Sequence, residues 1–412
     1  MDNINGYYDM HICGRDYGAG VDSILVHLDV PIGWITKDDL TITETKQFTN
    51  FLKPEEGFPI EIGSFSRTIK KAFICDEMGK EVEGLSKCFK VEMNVDPMEG
   101  SPYLFSMKTQ YNTFAQPYQL DIKSKQYNFS ICSKAKSITS DADVFEIRKG
   151  EFSSVSYEYA TYKPKNESKL LFVWLHGLGE GGKLNFPELT DPTITVLGNR
   201  VTSLTKDVFQ TAVDGAFILA PQCPTYWMDE TGDCKNFTGL GIKATRNSYY
   251  TESLVQLIDT YAQEIGAEKI IIAGCSNGGY MTMNLAMNYG TKYDAYIPIC
   301  EAMPDSEITD ADIDLLKDCP MYFIYSQDDP IVIPAIHEEP TIQRLKNRGA
   351  KNLEVSVSDH VYDLSDEYSY LKNEADLHYL YNGHWSWIYF FNNQVISSNK
   401  INCFDWIRSL SK

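Results

Sequence analysis

The sequence predicts an α/β protein in two parts: an all-β domain over residues 1–150 and a doubly wound, mostly parallel sheet over residues 151–412. The first part has short apolar or alternating runs between turn signals and few helical patterns. The second part alternates apolar runs of strand length with helical patterns. The length of 412 residues also exceeds the size at which single hydrophobic cores usually split. We therefore expect two domains.

The N-terminal part contains four short strand-like segments. They are residues 24–30, 68–75, 88–95 and 120–123. Short strands that are separated by turns are typical of a β-sandwich, and we expect one of immunoglobulin-like type. The polar segment 137–166 contains the boundary between the two parts.

From Lys169 onward, strand-like and helical patterns alternate. Apolar runs predict strands at residues 170–175, 216–220, 269–272, 296–299, 321–325 and 353–357. Helical patterns lie at residues 250–265, 280–288, 311–317, 342–348 and 404–410. Continuous apolar runs are typical of strands that are buried on both faces of a parallel sheet, and the intervening helices supply the covering layers.

The segment 273–279 has the pattern G-x-S-x-G around Ser276, between a predicted strand and a predicted helix. A strand, a sharp turn, a serine and a helix form the arrangement of a nucleophile elbow. The glycines matter because the turn strains the serine backbone, and a Cβ at a neighbouring position would collide with the adjoining strand or helix. We therefore expect Ser276 to be a nucleophile.

A serine nucleophile needs a base, and the base needs an acid that orients it. In the α/β-hydrolase arrangement the chain order is serine, acid, histidine. Two adjacent carboxylates, Asp328 and Asp329, directly follow the predicted strand 321–325. We favour Asp329 because Pro330 follows it and a valine lies three residues on. Asp328 stays an alternative.

Seven histidines are candidates for the base. Chain order excludes four of them. His11 and His27 lie in the N-terminal part, His176 precedes the serine, and His337 precedes the last predicted strand. His384 has a glycine before it and aromatic residues around it, which can shield an imidazole and line a pocket. We therefore expect His384 to be the base, while chain order alone leaves His360 and His378 open.

The tetrahedral intermediate of acyl transfer needs backbone N–H donors. The glycine-rich segment 175–182 is typical of the loop that supplies one donor, and the residue after the nucleophile supplies the other. We assign these donors to Leu178 and Asn277, with Gly179 an alternative to Leu178. A phosphate-binding loop is not favoured, because neither glycine-rich phosphate pattern occurs in this segment.

Aromatic residues near these motifs are candidates for substrate binding. Tyr226 and Trp227 follow a predicted strand and so lie at the catalytic edge of the sheet, where they wall the pocket or simply pack within the loop. Trp385, next to the candidate base, is assigned to the same pocket. We expect no cofactor and no metal site. The acidic segment 310–314 lacks the glycine and glutamate of a calcium loop, and the ten cysteines form no C-x-x-C pair.

Five segments together resemble the prolyl-oligopeptidase-like esterases of bacteria. They are WLHGLGEGG, APQCPTYWMD, GCSNGGYMTMN, YSQDDPIV and YNGHWSWIY. In that group an immunoglobulin-like N-terminal domain precedes an α/β-hydrolase domain. The resemblance is specific over residues 165–412 and only general over residues 1–150. It implies a carboxylesterase with Ser276 as nucleophile, Asp329 as acid and His384 as base.

The formal net charge of −20 argues against nucleic acid and anionic membranes as partners, because a polyanion repels both. No apolar run reaches the roughly 18 residues that span a bilayer, and the N-terminus lacks the pattern of a signal peptide. We therefore expect a cytoplasmic protein, although a secreted chain without its leader would look the same. Cys223 and Cys234 could pair in an oxidising compartment. The oligomeric state is not predicted.

Three functions agree with these motifs. The first is a serine carboxylesterase for small or aromatic acyl esters, including feruloyl or acetyl esters of plant polysaccharide. The second is a serine peptidase of the same fold, which the esterase outranks because about 150 residues cannot build the β-propeller that usually gates such peptidases. The third is a catalytically silent binding protein, which the presence of all three catalytic residue types in order disfavours.

Overall fold

The computed structural model describes residues 3–182, 191–238 and 241–410. The chain divides into two compact units. The first consists of Met1–Asp143 with Leu197–Asn199, and the second of Val144–Val196 with Arg200–Lys412.

The first unit is built from β-strands. They are β1 (Ile4–Arg15), β2 (Gly18–Ile32), β3 (Leu40–Thr49), β4 (Ile60–Ser66), β5 (Ile69–Cys75), β6 (Ser86–Met93), β7 (Tyr103–Phe105), β8 (Asn112–Phe114), β9 (Tyr118–Ser124), β10 (Phe129–Ile131) and β11 (Ser137–Ser140). One sheet has the order β10-β1-β2-β6-β5, with β11 also paired to β1, and a second has the order β4-β3-β9. The four segments that the sequence predicts as strands lie in or largely overlap β2, β5, β6 and β9.

Arg67 joins the two main sheets of this unit. Its guanidinium group is fully buried. It donates to the carbonyl oxygen of Val21 in β2 at 2.9 Å and to the carboxylate of Glu44 in β3 at 2.9 Å. The all-β character that the sequence predicts is confirmed, and the immunoglobulin-like type stays a prediction.

The second unit contains an eight-stranded sheet and a short hairpin. Its strands are β12 (Glu146–Phe152), β13 (Val155–Tyr162), β14 (Leu170–Leu175), β15 (Phe217–Gln222), β16 (Phe237–Thr238), β17 (Gly241–Ile242), β18 (Lys269–Cys275), β19 (Ala295–Ile299), β20 (Met321–Ser326) and β21 (Leu353–Ser358). The large sheet has the order β12-β13-β15-β14-β18-β19-β20-β21, and all its pairs are parallel from β15 onward. The predicted doubly wound, mostly parallel sheet of the α/β-hydrolase fold is therefore confirmed.

The helices follow the strands of this sheet. They are α1 (Ile194–Leu197), α2 (Asp207–Gln210), α3 (Thr251–Ile265), α4 (Asn277–Tyr289), α5 (Asp310–Leu316), α6 (Glu338–Asn347), α7 (Trp387–Phe391) and α8 (Cys403–Leu410). Leu254, Leu257 and Ile258 of α3 are fully buried, so the helix turns its apolar face to the core. No helix in the described part of the chain is long and apolar enough to cross a membrane.

The predicted boundary between residues 150 and 151 falls inside β12. This strand forms an antiparallel hairpin with β13, and the turn uses Ser153 and Ser154, both with positive φ. β13 in turn pairs with β15, so the whole hairpin extends the large sheet. The second unit therefore begins before β12, at Val144.

Candidate active site

Ser276 lies in a sharp turn between β18 and α4. Its backbone has φ 55° and ψ −114°, a strained conformation for a residue with a side chain. A Cβ on Gly278 would lie 1.9 Å from the carbonyl oxygen of Leu175, and one on Gly274 would lie 2.5 Å from the carbonyl oxygen of Gly278. The turn therefore needs glycine at both positions, and the Ser276 side chain projects at the carboxyl edge of the sheet.

His384 connects Ser276 with Asp329. Its Nδ1 lies 2.7 Å from Oδ2 of Asp329, and its Nε2 lies 3.0 Å from Oγ of Ser276. Because a carboxylate only accepts, the ring proton lies on Nδ1, and Nε2 accepts from the serine hydroxyl. Asp329 and His384 are 3% and 8% exposed, so water has little access to their hydrogen bond. The structure thus brings together the three residues that the sequence predicts.

The loop after β20 holds the carboxylate of Asp329 in place. Oδ1 accepts hydrogen bonds from the backbone N–H groups of Ile331 and Val332 at 2.8 and 2.9 Å. His384 lies in a 3₁₀ turn, Gly383–Trp385, and its own backbone N–H donates to Oδ1 of Asn382 at 2.9 Å. Both members of the pair are therefore fixed by their own backbone as well as by each other.

The alternative acid and bases pair elsewhere. Asp328 binds Nδ1 of His360 at 2.7 Å, and Asp366 binds Nδ1 of His378 at 2.7 Å. His360 and His378 therefore each have a carboxylate partner other than Asp329. The sequence left Asp328 and these two histidines open, and only the side-chain contacts separate them from Asp329 and His384.

The loop after β14 contains Leu178 and its alternative Gly179, the two candidates for the first oxyanion donor. Leu178 begins a 3₁₀ turn, Leu178–Glu180, and Asn277 begins α4, so the backbone N–H of each starts a helical turn. The loop lies against the elbow, because a Cβ on Gly177 would be 3.7 Å from Sγ of Cys275. Two N–H groups at the starts of adjoining turns can stabilise a developing negative charge.

His176 supports this loop, a role that the sequence did not suggest. The side chain is fully buried, donates from Nδ1 to the carbonyl oxygen of Gly177 and accepts at Nε2 from the N–H of Cys223. Burial lowers the pKa of His176 to about 4, which keeps the ring neutral. Its chain position excluded it as the base, and its contact with Cys223 spans 47 residues, which no local pattern could reveal.

The three aromatic candidates for substrate binding differ in exposure. Tyr226 and Trp227 are 1% and 0% exposed, and the Tyr226 hydroxyl donates to Oδ1 of Asn236. The backbone N–H of Trp227 donates to Oδ1 of Asn277, which ties this loop to the elbow. Trp385 is partly exposed beside His384. The two buried residues pack as core side chains, and the contact of all three with substrate stays a prediction.

The thiol of Cys300 adjoins the Asp329–His384 pair, and the three potential metal ligands lie within 4.8 Å of one another. Burial raises the pKa of the Cys300 thiol well above its usual value, so the thiolate that binds metals is disfavoured. Asp329 and His384 are already bonded to each other. The group therefore suits proton transfer better than metal binding. Cys223 and Cys234 are both free thiols.

Comparison with known proteins supports the fold in which this site lies. Residues 240–367 match the phospholipase/carboxylesterase family. The matched segment is less than half of the chain. The structure is similar to the crystal structure of a thermostable esterase, with a TM-score of 0.68 and 20% identity over 94% of this chain and 96% of that chain. This likeness shows the shared fold. No curated protein matches the sequence.

Two further structures are similar over part of the chain. A ferulic acid esterase gives a TM-score of 0.41 and 12% identity over 65% of this chain and 98% of that chain. Est1E from Butyrivibrio proteoclasticus gives a TM-score of 0.33 and 13% identity over 51% and 87%. The family match and the shared α/β-hydrolase fold together support a serine hydrolase.

Proposed function

We propose that this chain is a carboxylesterase that hydrolyses small or aromatic acyl esters through an acyl-enzyme formed on Ser276. One observation carries the proposal. His384 bonds through Nε2 to the Ser276 hydroxyl and through Nδ1 to the Asp329 carboxylate. This is the hydrogen-bonded relay that turns a weak hydroxyl nucleophile into an effective one.

In the first half of the reaction, Nε2 of His384 takes the proton of Ser276 as Oγ attacks the ester carbonyl carbon. The carbonyl oxygen becomes an oxyanion, and the backbone N–H groups of Leu178 and Asn277 stabilise it. Asp329 holds the imidazole in the required tautomer and stabilises its positive charge. The intermediate collapses when the ester C–O bond breaks and the alcohol leaves with the proton from His384.

In the second half, water takes the place of the alcohol. Nε2 of His384 removes a proton from the water, whose oxygen attacks the acyl carbon. Collapse of the second intermediate returns the proton to Oγ of Ser276 and releases the carboxylic acid. Loss of one oxyanion donor costs roughly 3 kcal/mol in the transition state, a factor of a few hundred in rate.

Aromatic side chains around the base support an aromatic acyl group. The rings of Trp387 and His384 meet edge to face with centroids 5.5 Å apart. Trp385 is partly exposed and lies 6.1 Å from Tyr381, centroid to centroid. Such rings favour offset or edge-to-face packing with a planar acyl group. Feruloyl esters of plant polysaccharide combine such a group with a polar alcohol, and acetyl esters are the small-acyl alternative.

We also infer that the first unit is an immunoglobulin-like sandwich of the kind found in the prolyl-oligopeptidase-like esterases. Its two main sheets and the buried Arg67 that joins them support this. An experimentally determined structure of the first unit, compared with the strand order of an immunoglobulin-like sandwich, would test this inference directly.

The direct test compares hydrolysis of p-nitrophenyl acetate, p-nitrophenyl butyrate and methyl ferulate by the wild type, Ser276→Ala and His384→Ala. We expect both variants to lose at least about a thousandfold in kcat. Labelling by a fluorophosphonate should require Ser276. Wild-type turnover by Ser276→Ala would reject the nucleophile. Faster cleavage of a peptide p-nitroanilide than of any ester would favour the peptidase.

A further inference from the structure

The adjacent carboxylates Asp328 and Asp329 bind different histidines: Asp329 binds His384, and Asp328 binds His360. The side chain of Asp328 also lies against the loop that contains His384. We propose that Asp328 and His360 are positioning residues that hold the His384 loop in register with Ser276. This inference rests on the proposed function, in which His384 is the base. Neither residue touches the reacting atoms in this assignment, so both act through the backbone around His384.

The first contact is between Asp328 and Gly383, the residue before His384. A Cβ on Gly383 would lie 2.2 Å from Oδ1 and 2.8 Å from Cγ of Asp328. The backbone of the His384 loop therefore rests directly on the Asp328 side chain. Any rotation of that carboxylate changes the surface that supports Gly383, and a larger side chain at Gly383 could not fit there.

The carboxylate of Asp328 is fixed at both oxygens. Oδ1 accepts from the hydroxyl of Ser326 at 2.6 Å, and Oδ2 accepts from Nδ1 of His360 at 2.7 Å. Burial raises the pKa of Asp328, but the hydrogen bonds from Ser326 and His360 outweigh it and lower the pKa overall. The carboxylate is therefore ionised and held by two charge-assisted hydrogen bonds.

A second set of contacts joins His360 to the other side of His384. The hydroxyl of Tyr389 donates to the carbonyl oxygen of His360 at 3.1 Å and accepts from the N–H of Tyr362 at 2.8 Å. Tyr389 belongs to α7, which begins three residues after His384. The segment around His360 is thus tied to the chain both before and after the candidate base.

Backbone hydrogen bonds complete this support. The N–H of Tyr381 donates to the carbonyl oxygen of Val361 at 2.8 Å, and the N–H of Asp363 donates to that of Tyr379 at 2.9 Å. The chain after His360 therefore pairs with the chain that leads into the His384 loop. A shift of about 1 Å in a catalytic group can cost about a hundredfold in rate, so a partial loosening should cost about tenfold.

The chain offers a matched control for this proposal. His378 makes a bond of the same length, 2.7 Å, to Asp366 on the same surface segment. The test measures kcat, KM and the melting temperature of His360→Ala, His360→Asn and His378→Ala on p-nitrophenyl butyrate. An asparagine amide can reproduce the donor position of Nδ1, so His360→Asn retains the hydrogen bond to Asp328.

We expect His360→Ala to lower kcat about tenfold with KM within about twofold, and His360→Asn to recover most of that loss. His378→Ala should keep wild-type kcat while its melting temperature changes as much as that of His360→Ala. Equal kcat values in the two alanine variants, or no recovery in His360→Asn, would overturn the positioning role.

Two further variants separate this inference from the proposed function. If Ser276→Ala keeps its activity, the proposed function itself is wrong. If Ser276→Ala and His384→Ala are inactive while His360→Ala equals the wild type, only the positioning role is wrong. A third outcome is that His360→Ala is as inactive as Ser276→Ala while His384→Ala stays active. His360 would then be the base, and the assignments of His384 as base and of His360 as positioning residue would both be wrong.

Discussion

The backbone N–H of Cys223 donates to Nε2 of His176 across 2.9 Å. Because Nε2 accepts, the proton of the neutral ring lies on Nδ1, which donates to the carbonyl oxygen of Gly177 at 2.6 Å. The imidazole therefore joins the loop after β14, which contains Leu178, to the loop after β15. Both loops lie at the carboxyl edge of the sheet, where Ser276 also lies.

The first prediction concerns this bridge. His176→Ala leaves the N–H of Cys223 and the carbonyl oxygen of Gly177 without their partner and opens a cavity. We expect a loss of about 2–4 kcal/mol in the free energy of unfolding and of at least about tenfold in kcat. Urea unfolding and ester hydrolysis, both at a temperature where the variant is folded, measure the two effects. An unchanged kcat would show that the oxyanion loop does not depend on His176.

The second prediction uses the pKa of the same residue. Burial lowers the pKa of His176 to about 4, whereas the value in the unfolded chain is about 6.5. Folding therefore favours the neutral ring, and this stability is complete above about pH 6.5 and is lost as the pH falls toward 4. The loss should be about 3 kcal/mol over that window.

Urea unfolding between pH 7 and pH 4 tests this window in the wild type and in His176→Gln. The variant lacks the titrating ring, so its stability should fall less steeply with acid. Parallel pH profiles for the two proteins would contradict the prediction.

The third prediction separates the two adjacent carboxylates. Asp329→Asn replaces the acceptor of the His384 Nδ1 proton by an amide, which favours the wrong tautomer of the base. We expect kcat to fall by about 10³ to 10⁴ with little change in fold. Asp328→Asn, which keeps an oxygen acceptor, should lose about tenfold or less. Steady-state kinetics of both variants show which one loses more kcat. A larger loss in Asp328→Asn would identify Asp328, and not Asp329, as the acid.

The elbow could be predicted from the sequence because its chemistry is local. A Cβ atom added to Gly274 or to Gly278 would lie 2.5 Å or less from a backbone atom, so both positions require glycine. This requirement is visible in the sequence as a motif within seven consecutive residues. The strands of the parallel sheet were also predictable, because burial on both faces demands continuous apolar runs such as that of β14.

The hairpin of β12 and β13 was not predictable in the same way. Its outer strand, Glu146–Phe152, has four charged residues and only two large apolar ones, and most of its residues are exposed or half-buried. Such a sequence has no apolar run, and its place is set by the pairing of β13 with β15, about 60 residues away. The supporting roles of His176 and His360 also depend on contacts between residues that are far apart in the chain, 47 residues for His176 and Cys223 and 32 residues for His360 and Asp328.

The fourth prediction concerns two buried carboxyl groups near the elbow, Glu301 and Glu338, which are 0% and 1% exposed. Burial raises the pKa of both well above the usual value, and in Glu338 the charge of Asp329 adds to this. Folding therefore favours their protonated forms. The cost to stability begins as the pH rises above about 4.5, where the unfolded chain ionises, and grows toward the folded-state pKa.

Glu338→Gln removes one of these groups without changing its shape. We expect the melting temperature to rise by about 3 °C or more at pH 8 and by less at pH 5, because the cost of keeping Glu338 protonated in the folded wild type is small at pH 5 and much larger at pH 8. Glu339→Gln, at the exposed neighbouring position of α6, should show a much smaller difference between the two pH values, because its charge contributes only a minor part of the raised pKa of Glu338. Differential scanning calorimetry at pH 5 and pH 8 measures both variants. An equal rise at the two pH values would mean that Glu338 is ionised in the folded protein.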